Sequence, residues 1–215
     1  MDGIIVAPLV ILLLVVVAVL VVIVVMRLRE KNRAESASTS SEPTDPFHTG
    51  DTDSLRGDPR SLKAGDIVEL RGLSYTVRGS VRLSEGVWTW SEHLLDDAKG
   101  TQVWLSVEED PDLILSLWTP VEDTELSPGP KEIELDGRTY RSDESGSADY
   151  RSEATTGLSE QGTVRYHDYE SSDGPMLGFE AYGDAGWEVS TGEALTRYDV
   201  RIYPVQPDDD SGKTR

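Results

Sequence analysis

The chain begins with an apolar run that a water-soluble fold accommodates poorly. Residues 4–26 contain no charged side chain and are mostly Val, Leu and Ile. As an α-helix this run would be about 34 Å long, enough to cross a hydrocarbon core of about 30 Å. β-Branched residues favour strands in water, but an isolated strand in lipid leaves its backbone groups unsatisfied. The sequence therefore predicts one transmembrane helix.

The flanks of this run distinguish an anchor from a cleaved signal peptide and predict its orientation. No basic residue precedes the run, and the charged segment 27–33 follows it where a cleavage site would have small residues. That segment carries four basic residues, whereas Asp2 lies before the run. The positive-inside rule then predicts a single-pass protein of the cell (inner) membrane, with the N-terminus outside and the C-terminal domain in the cytoplasm.

Two further segments have the composition of disordered chain. Residues 34–61 are rich in Ser, Thr, Asp, Gly and Pro, and the tail 206–215 is also polar. Such segments cannot bury enough apolar surface to offset the entropy lost on ordering. We therefore expect a flexible acidic linker and a disordered tail on either side of a single domain, residues 62–205.

Within that domain, apolar and polar residues alternate with a period of two, which is typical of half-buried antiparallel strands. The clearest stretch is 73–83, which has apolar side chains on one face and Ser, Thr and Arg on the other. Further strands are predicted at 67–70, 87–95, 102–108, 113–119, 132–135, 138–141, 162–170, 176–182, 186–190 and 198–203. Only 92–99 and 193–197 suit short helical turns. The pattern predicts an all-β domain, either an antiparallel sandwich or a partly open barrel.

A short repeat indicates that the domain is duplicated. The pattern apolar-Glu-Leu-x-Gly-x-x-Tyr occurs at residues 68–75 and again at 133–140. An aromatic and acidic strand follows each copy. Units 62–127 and 128–205 would then form two similar β-sheet lobes with one shared core, or one pseudo-twofold sandwich. The alternative is that the short match arose by chance.

Charge and cysteine content exclude several classes of function. From residue 34 onward the chain has 38 Asp and Glu residues and 16 Lys and Arg residues, a net charge of −22. Such a domain repels nucleic acid and anionic lipid, and it favours basic proteins, polyamines or metal cations as partners. The same charge also suits a soluble surface without a dedicated partner. Because there is no cysteine, disulfides, thiolate ligands and a cysteine nucleophile are excluded.

The motifs of common enzymes are absent, so we expect a non-enzymatic protein that uses no cofactor. The sequence has no nucleophile elbow, Walker loop, dinucleotide-binding fingerprint or His-Glu-x-x-His pattern. An active site of unrecognised type is the alternative, built from Glu92, His93, His167 and Asp168 as a histidine–carboxylate cluster. Two ordinary surface histidines explain the same residues without any catalysis.

The densest candidate for ligand binding lies in the first half of the domain. On a strand, Trp88, Trp90 and Glu92 share one face, and His93 lies on the other. Two tryptophans beside a carboxylate can form an aromatic–acidic pocket for a cation such as a polyamine. Trp88, Trp90, Glu92 and His93 are therefore the candidate ligand-binding residues. In the alternative interpretation both tryptophans are anchors of the core and Glu92 lies at its rim.

Four motifs in this half resemble the bacterial and archaeal family catalogued as domain of unknown function 4178. They are Gly65-Asp66-Ile67-Val68, Tyr75-Thr76-Val77-Arg78-Gly79, Trp88-Thr89-Trp90-Ser91-Glu92-His93-Leu94-Leu95 and Trp104-Leu105-Ser106-Val107. Many members have Glu-Tyr where this chain has Glu92-His93. The resemblance implies a β-rich module of unassigned activity, and a valine-rich anchor is typical of actinobacterial members. Such genes often neighbour those of small membrane proteins and polyamine-biosynthesis-like enzymes, which implies a membrane or envelope stress system.

Together these features predict an uncharacterised, membrane-tethered, non-enzymatic module that interacts with a protein partner at the membrane. A sensor for a cationic metabolite such as a polyamine is the second hypothesis, and an enzyme with an unrecognised active site is the third. Tethering favours the first because it raises the effective concentration of the domain near membrane partners.

Overall fold

The computed structural model describes residues 56–205. The predicted membrane span 4–26, most of the predicted linker and the tail 206–215 lie outside the described residues. Within the described part, no helix is both long enough and apolar enough to cross a membrane. Residues 56–61, predicted as the end of the linker, contact the domain: Pro59 is buried, and the Arg60 guanidinium donates to Glu109 with Nε 3.1 Å from Oε2.

The described residues form eleven strands and two single-turn 3-10 helices, and the prediction of an all-β domain is confirmed. The strands are β1 Ile67–Leu70, β2 Leu73–Glu85, β3 Trp88–Asp96, β4 Gln102–Glu109, β5 Leu113–Pro120, β6 Glu132–Leu135, β7 Arg138–Ala154, β8 Gln161–Ser171, β9 Met176–Tyr182, β10 Glu188–Leu195 and β11 Val200–Tyr203. The 3-10 helices are Pro59–Ser61 and Arg197–Asp199. Every strand pair is antiparallel.

Eight of the strands close into a barrel, whereas the sequence predicted a sandwich or a partly open barrel. Their order is β2-β3-β4-β5-β10-β9-β8-β7, and β7 pairs back onto β2. The closing pair extends from Gly79 opposite Ala154 to Ser84 opposite Asp149. Closure is possible because β2 and β7 are both long: the first half of each pairs with a short strand, and the second halves pair with each other.

The two halves of the chain have the same pairing order. β1 joins β2 through Arg71-Gly72, and β6 joins β7 through Asp136-Gly137. All four turn residues have positive φ, the conformation of a type I′ hairpin turn, which Gly and Asp favour. Strands β1–β5 and β6–β10 are therefore two successive meanders, and β11 adds to the outer edge of β1. Their origin by duplication stays a prediction.

Two local predictions differ from the structure. Of the segments predicted as helical turns, residues 92–96 belong to β3 and residues 193–195 to β10, while Arg197 begins the second 3-10 helix. The strand predicted at 138–141 extends to Ala154 as β7. Residues 142–154 are mostly polar, and only Ala148 and Tyr150 among them are buried apolar side chains. This segment is a strand because β2 and β8 bind its backbone on both sides, a long-range effect that its own composition does not encode.

Three apolar clusters pack the domain. Two lie on the outer face of the barrel: one is covered by β1, β11 and Leu62, and the other by Val121, Leu126 and Trp187. The third lies on the inner face and comprises Val81, Leu83, Ala148, Tyr150 and Val164, with Trp90, Trp104, Leu158 and Tyr182 packed against it. Its members come from both meanders. The inside of the barrel is thus where the two halves of the chain meet.

Candidate functional site: an acidic and aromatic barrel interior

Alternation along β3 divides the candidate residues between the two faces of the barrel wall. Trp88, Trp90 and Glu92 face the interior, and His93 faces outward. Trp88 is 53% exposed, next to the β2–β3 turn, whereas Trp90 and Glu92 are half-buried. The Trp90 indole donates a hydrogen bond to Glu92, with Nε1 3.3 Å from Oε1. The structure therefore joins Trp90 to Glu92 and separates both from His93.

Glu92 meets two further carboxylates from the other half of the chain. Asp168 on β8 and Glu180 on β9 face the same interior. The hydroxyl oxygen of Tyr182 lies 3.2 Å from Glu180 Oε2 and 3.5 Å from Glu92 Oε2, so its single proton can serve only one of them at a time. All three acids are half-buried.

The interior environment favours the protonated forms of these acids. Burial raises the pKa of Glu92 to about 7. Hydrogen bonds with Trp90, Tyr182 and Glu180 lower this pKa, but their effect is smaller than that of burial. Burial, followed by the charge of Glu92, raises the pKa of Asp168 to about 7 and the pKa of Glu180 well above its ordinary value. No basic side chain contributes to any of these shifts. Among residues 56–205, no arginine or lysine is thus placed to neutralise these carboxyl groups when they ionise.

Aromatic rings surround the carboxylates. The Trp90 ring meets the Tyr166 ring edge-on, with centroids 6.1 Å apart, and Tyr150 meets Tyr182 in the same way at 5.1 Å. The Tyr166 hydroxyl donates to Oε2 of Glu85 at 2.5 Å, nearer the end of the barrel. Since aromatic faces attract cations, rings beside unneutralised carboxylates make an environment suited to positive charge.

Two glycines make room for a further tryptophan on the inner face. A methyl group on Gly192 would lie 2.5 Å from Cζ3 of Trp118, and one on Gly178 would lie 3.0 Å from the same atom. Oδ1 of Asp168 would lie 3.4 Å from the methyl group on Gly178. Because Gly178 on β9 and Gly192 on β10 have no side chain, the Trp118 ring can lie against the barrel wall beside Asp168.

The two histidines of the domain lie on the outer face, away from Glu92 and Asp168. His93 is fully buried; its Nδ1 lies 2.8 Å from Ser80 Oγ, and its Nε2 has no hydrogen-bond partner. Burial, with a smaller effect of Arg82, lowers the pKa of His93 to about 3. The proposed cluster of two histidines with Glu92 and Asp168 is therefore not assembled, because adjacent residues of a strand point to opposite faces.

His167 lies on the outer face in a similar pairing. Its Nε2 is 2.9 Å from Ser142 Oγ, and its ring stacks on Tyr169 with centroids 4.6 Å apart. Within the described residues, no three His, Asp or Glu side chains lie close enough together to hold a metal ion.

Sequence reasoning did not single out Glu180, Tyr166, Tyr182 or Trp118. A signal for most of them was present, because Tyr166-x-Asp168 and Glu180-x-Tyr182 repeat the aromatic and acidic alternation of Trp90-x-Glu92. Without the pairing order of the strands, nothing indicated that these three segments share one interior.

Comparison with known proteins confirms the family resemblance. Residues 63–197 match the family described as "Domain of unknown function (DUF4178)". The chain belongs to this family. The match extends beyond the motifs of the first meander, through the second meander to the end of β10.

Relatives of the chain occur in mycobacteria. The proteins named "Uncharacterized protein Mb2628" of Mycobacterium bovis and "Uncharacterized protein Rv2597" of Mycobacterium tuberculosis are each 40% identical to it over 156 residues. The alignments cover 69% of this chain and 75% of each relative. No solved structure matches the chain.

Proposed function

We propose that this DUF4178 domain binds an organic cation inside its barrel. The observation that carries the proposal is that Glu92, Asp168 and Glu180 face one interior without a basic partner among the described residues. An ammonium group supplies the missing positive charge, and its alkyl chain packs against Trp90 and Tyr166.

A di- or polyamine suits this interior better than a metal ion does. The acids come from three strands and do not converge on a point, so a ligand with several separated charges can reach more of them than one ion can. The ligand class is thus a flexible aliphatic amine.

Titration of the full-length protein with spermidine tests this proposal through tryptophan fluorescence. We expect a saturable change that persists at about 0.15 M salt, because groups inside the barrel are screened less than surface charges. The variants Glu92→Gln and Glu180→Gln should each weaken binding about tenfold, the effect of about 1.4 kcal/mol. Glu160→Gln removes an exposed carboxylate outside the interior and should leave binding unchanged.

Several outcomes would refute amine binding. One is a flat titration. Another is that Glu92→Gln and Glu160→Gln weaken spermidine binding equally, which would indicate that spermidine is attracted only by the net charge of the protein. Magnesium chloride at matched ionic strength is the control for simple screening. If magnesium saturates a specific change that spermidine does not, the interior binds a metal ion instead.

We also propose a localisation for the domain. The predicted span 4–26 would hold the cation-binding domain at the cytoplasmic face of the membrane, where a protein partner could respond to the bound state. Val87 is 88% exposed and Trp88 is 53% exposed at the β2–β3 turn, which favours such a contact. A reporter fused after Arg215 tests the predicted orientation. If the reporter is active only outside the cytoplasm, the predicted orientation is wrong. That the domain has no enzymatic activity stays a prediction.

A further inference from the structure

The outer edge of β6 has no neighbouring strand within residues 56–205, whereas the equivalent edge of β1 is occupied. β1 and β6 hold the same place in the two meanders, each joined to a long strand by a two-residue turn. β11 pairs antiparallel with β1, with Val68 opposite Ile202 and Glu69 opposite Arg201. No described strand does the same for β6.

Exposure differs between the two edges in the way a missing strand would produce. Leu70 of β1 is 4% exposed, whereas Leu135, at the same position of β6, is only half-buried. Glu69 is half-buried, whereas Glu134 is exposed. An uncovered edge also presents unpaired backbone N–H and C=O groups, which are a template for strand addition.

The occupied edge indicates what kind of segment fits the open one. In β11, Arg201 stands between Val200 and Ile202, which are both buried in the outer core. Nη1 of Arg201 lies 3.5 Å from Oε1 of Glu69. The counterpart of Glu69 on β6 is Glu134. A segment that covered β6 in the same way would place a basic residue opposite Glu134 and apolar residues on either side.

We propose that β6 binds, by strand addition, an extended segment of a partner protein in which a basic residue stands between two apolar residues. Main-chain hydrogen bonds would provide affinity, and the side chains opposite Glu134 and Leu135 would provide specificity. This surface lies on the edge of the second meander and is independent of the cation site inside the barrel.

The acidic side chains of β6 also disfavour pairing of β6 with the β6 strand of a second copy of the chain. In an antiparallel β6–β6 pair centred on Ile133, Glu132 of each domain would stand opposite Glu134 of the other, and like charges opposite each other destabilise a strand pair. Each domain also carries a strong net negative charge, −22 from residue 34 onward. The edge thus disfavours self-association while it attracts a basic segment.

The chain itself supplies a probe peptide. A labelled peptide with the sequence of residues 198–205, Tyr-Asp-Val-Arg-Ile-Tyr-Pro-Val, should bind the full-length protein in a fluorescence anisotropy titration. Hydrogen exchange should slow at residues 131–136 when it binds. A control peptide with Glu in place of Arg should bind about threefold or more weakly, as should the original peptide to Glu134→Lys. Glu160→Lys, a matched change at another exposed position, should bind like the unmodified protein.

Three results would overturn the proposal. The first is binding without slower exchange at residues 131–136, and the second is equal binding of the Arg and Glu peptides. The third is protection, before any peptide is added, of those amides of residues 131–136 that point away from β7, since the alternate amides already bond to that strand. If that protection depends on protein concentration, a second copy occupies the edge; if it does not, another segment of this chain does.

Discussion

Glu92 on β3 and Glu180 on β9 share one hydroxyl donor, that of Tyr182, across the interior of the barrel. They come from different meanders and are separated by 88 positions in the sequence. In the sequence, nothing distinguishes either residue from the many other acidic residues of the chain; only closure of the barrel brings them together. Burial raises the pKa of both carboxyl groups, and five predictions about this domain follow from its buried polar groups and its packing.

The first prediction concerns stability and pH. A carboxyl group whose pKa is raised on folding binds more protons in the folded state than in the unfolded state. For Glu92 the window runs from its ordinary pKa near 4.5 up to about 7. The stabilisation is complete below pH 4.5 and is lost as the pH rises through 7. Between pH 5.5 and 8 the cation-free protein should therefore lose about 1–2 kcal/mol, less than the full shift implies because solvent reaches the half-buried acids.

Chemical denaturation at several pH values measures this loss. Glu180→Gln should reduce it, because the variant lacks the carboxyl group of Glu180, whose own pKa is raised on folding, and the variant should be the more stable protein at pH 8. Glu160→Gln corrects for the general effect of removing one negative charge. A pH dependence identical in both variants would contradict a role of the interior pair.

The second prediction concerns protons released by the ligand. If an amine binds beside Glu92 and Asp168, it favours their ionised forms, so binding near pH 7 should release protons. Affinity for spermidine should then rise as the pH increases from 6 to 8. Calorimetry in two buffers of different ionisation enthalpy counts the protons. Proton uptake on binding, or none, would mean that the amine does not contact these acids.

The third prediction concerns the packing of Trp118. Gly192→Ala should destabilise the protein by about 1–3 kcal/mol, because the new methyl group must displace the Trp118 ring. The fluorescence of the folded protein should change as well. Gly186→Ala is the matched control, since a methyl group there meets no atom within 4 Å. Equal stability of the two variants would show that the ring moves aside without cost.

The fourth prediction concerns the buried pair of Ser80 and His93. Ser80→Ala removes the hydrogen bond to Nδ1 and leaves both ring nitrogens of a fully buried imidazole unsatisfied. The expected loss is about 1–3 kcal/mol of unfolding free energy. The double variant Ser80→Ala with His93→Leu should recover much of it, because no buried polar group is then left unpaired. In Ser142→Ala, which affects the more exposed His167, the change should stay within about 0.5 kcal/mol.

The fifth prediction concerns the pH dependence of stability due to His93, which has the opposite sign to that of Glu92. Its pKa is lowered to about 3 in the folded protein, so the unfolded state binds more protons between pH 3 and its ordinary value of 6.5. Stability from this group is complete above pH 6.5 and falls as the pH decreases toward 3. Unfolding curves of His93→Leu should therefore show a smaller loss of stability between pH 6.5 and 4 than the unmodified protein shows.

By itself, the sequence determined the class of the domain, because short-range patterns encode it. Alternation over 73–83 predicted a strand that lies within β2, and the strands predicted at 67–70 and 132–135 are β1 and β6. The same alternation correctly assigned Trp90 and Glu92 to one face and His93 to the other. These features depend on neighbours in the chain, so they are readable without a fold.

Only the tertiary structure decided what those faces meet. The length of β7 depends on pairing with β2 and β8, and its polar residues gave no sign of it. Barrel closure through that strand brought Glu180, Tyr182 and Asp168 to Glu92. Among residues 56–205, it also left the outer edge of β6 without a neighbouring strand, whereas β11 covers the edge of β1. Strand order is a property of distant segments, and a period-two pattern fixes which face a residue occupies but not which strand lies opposite.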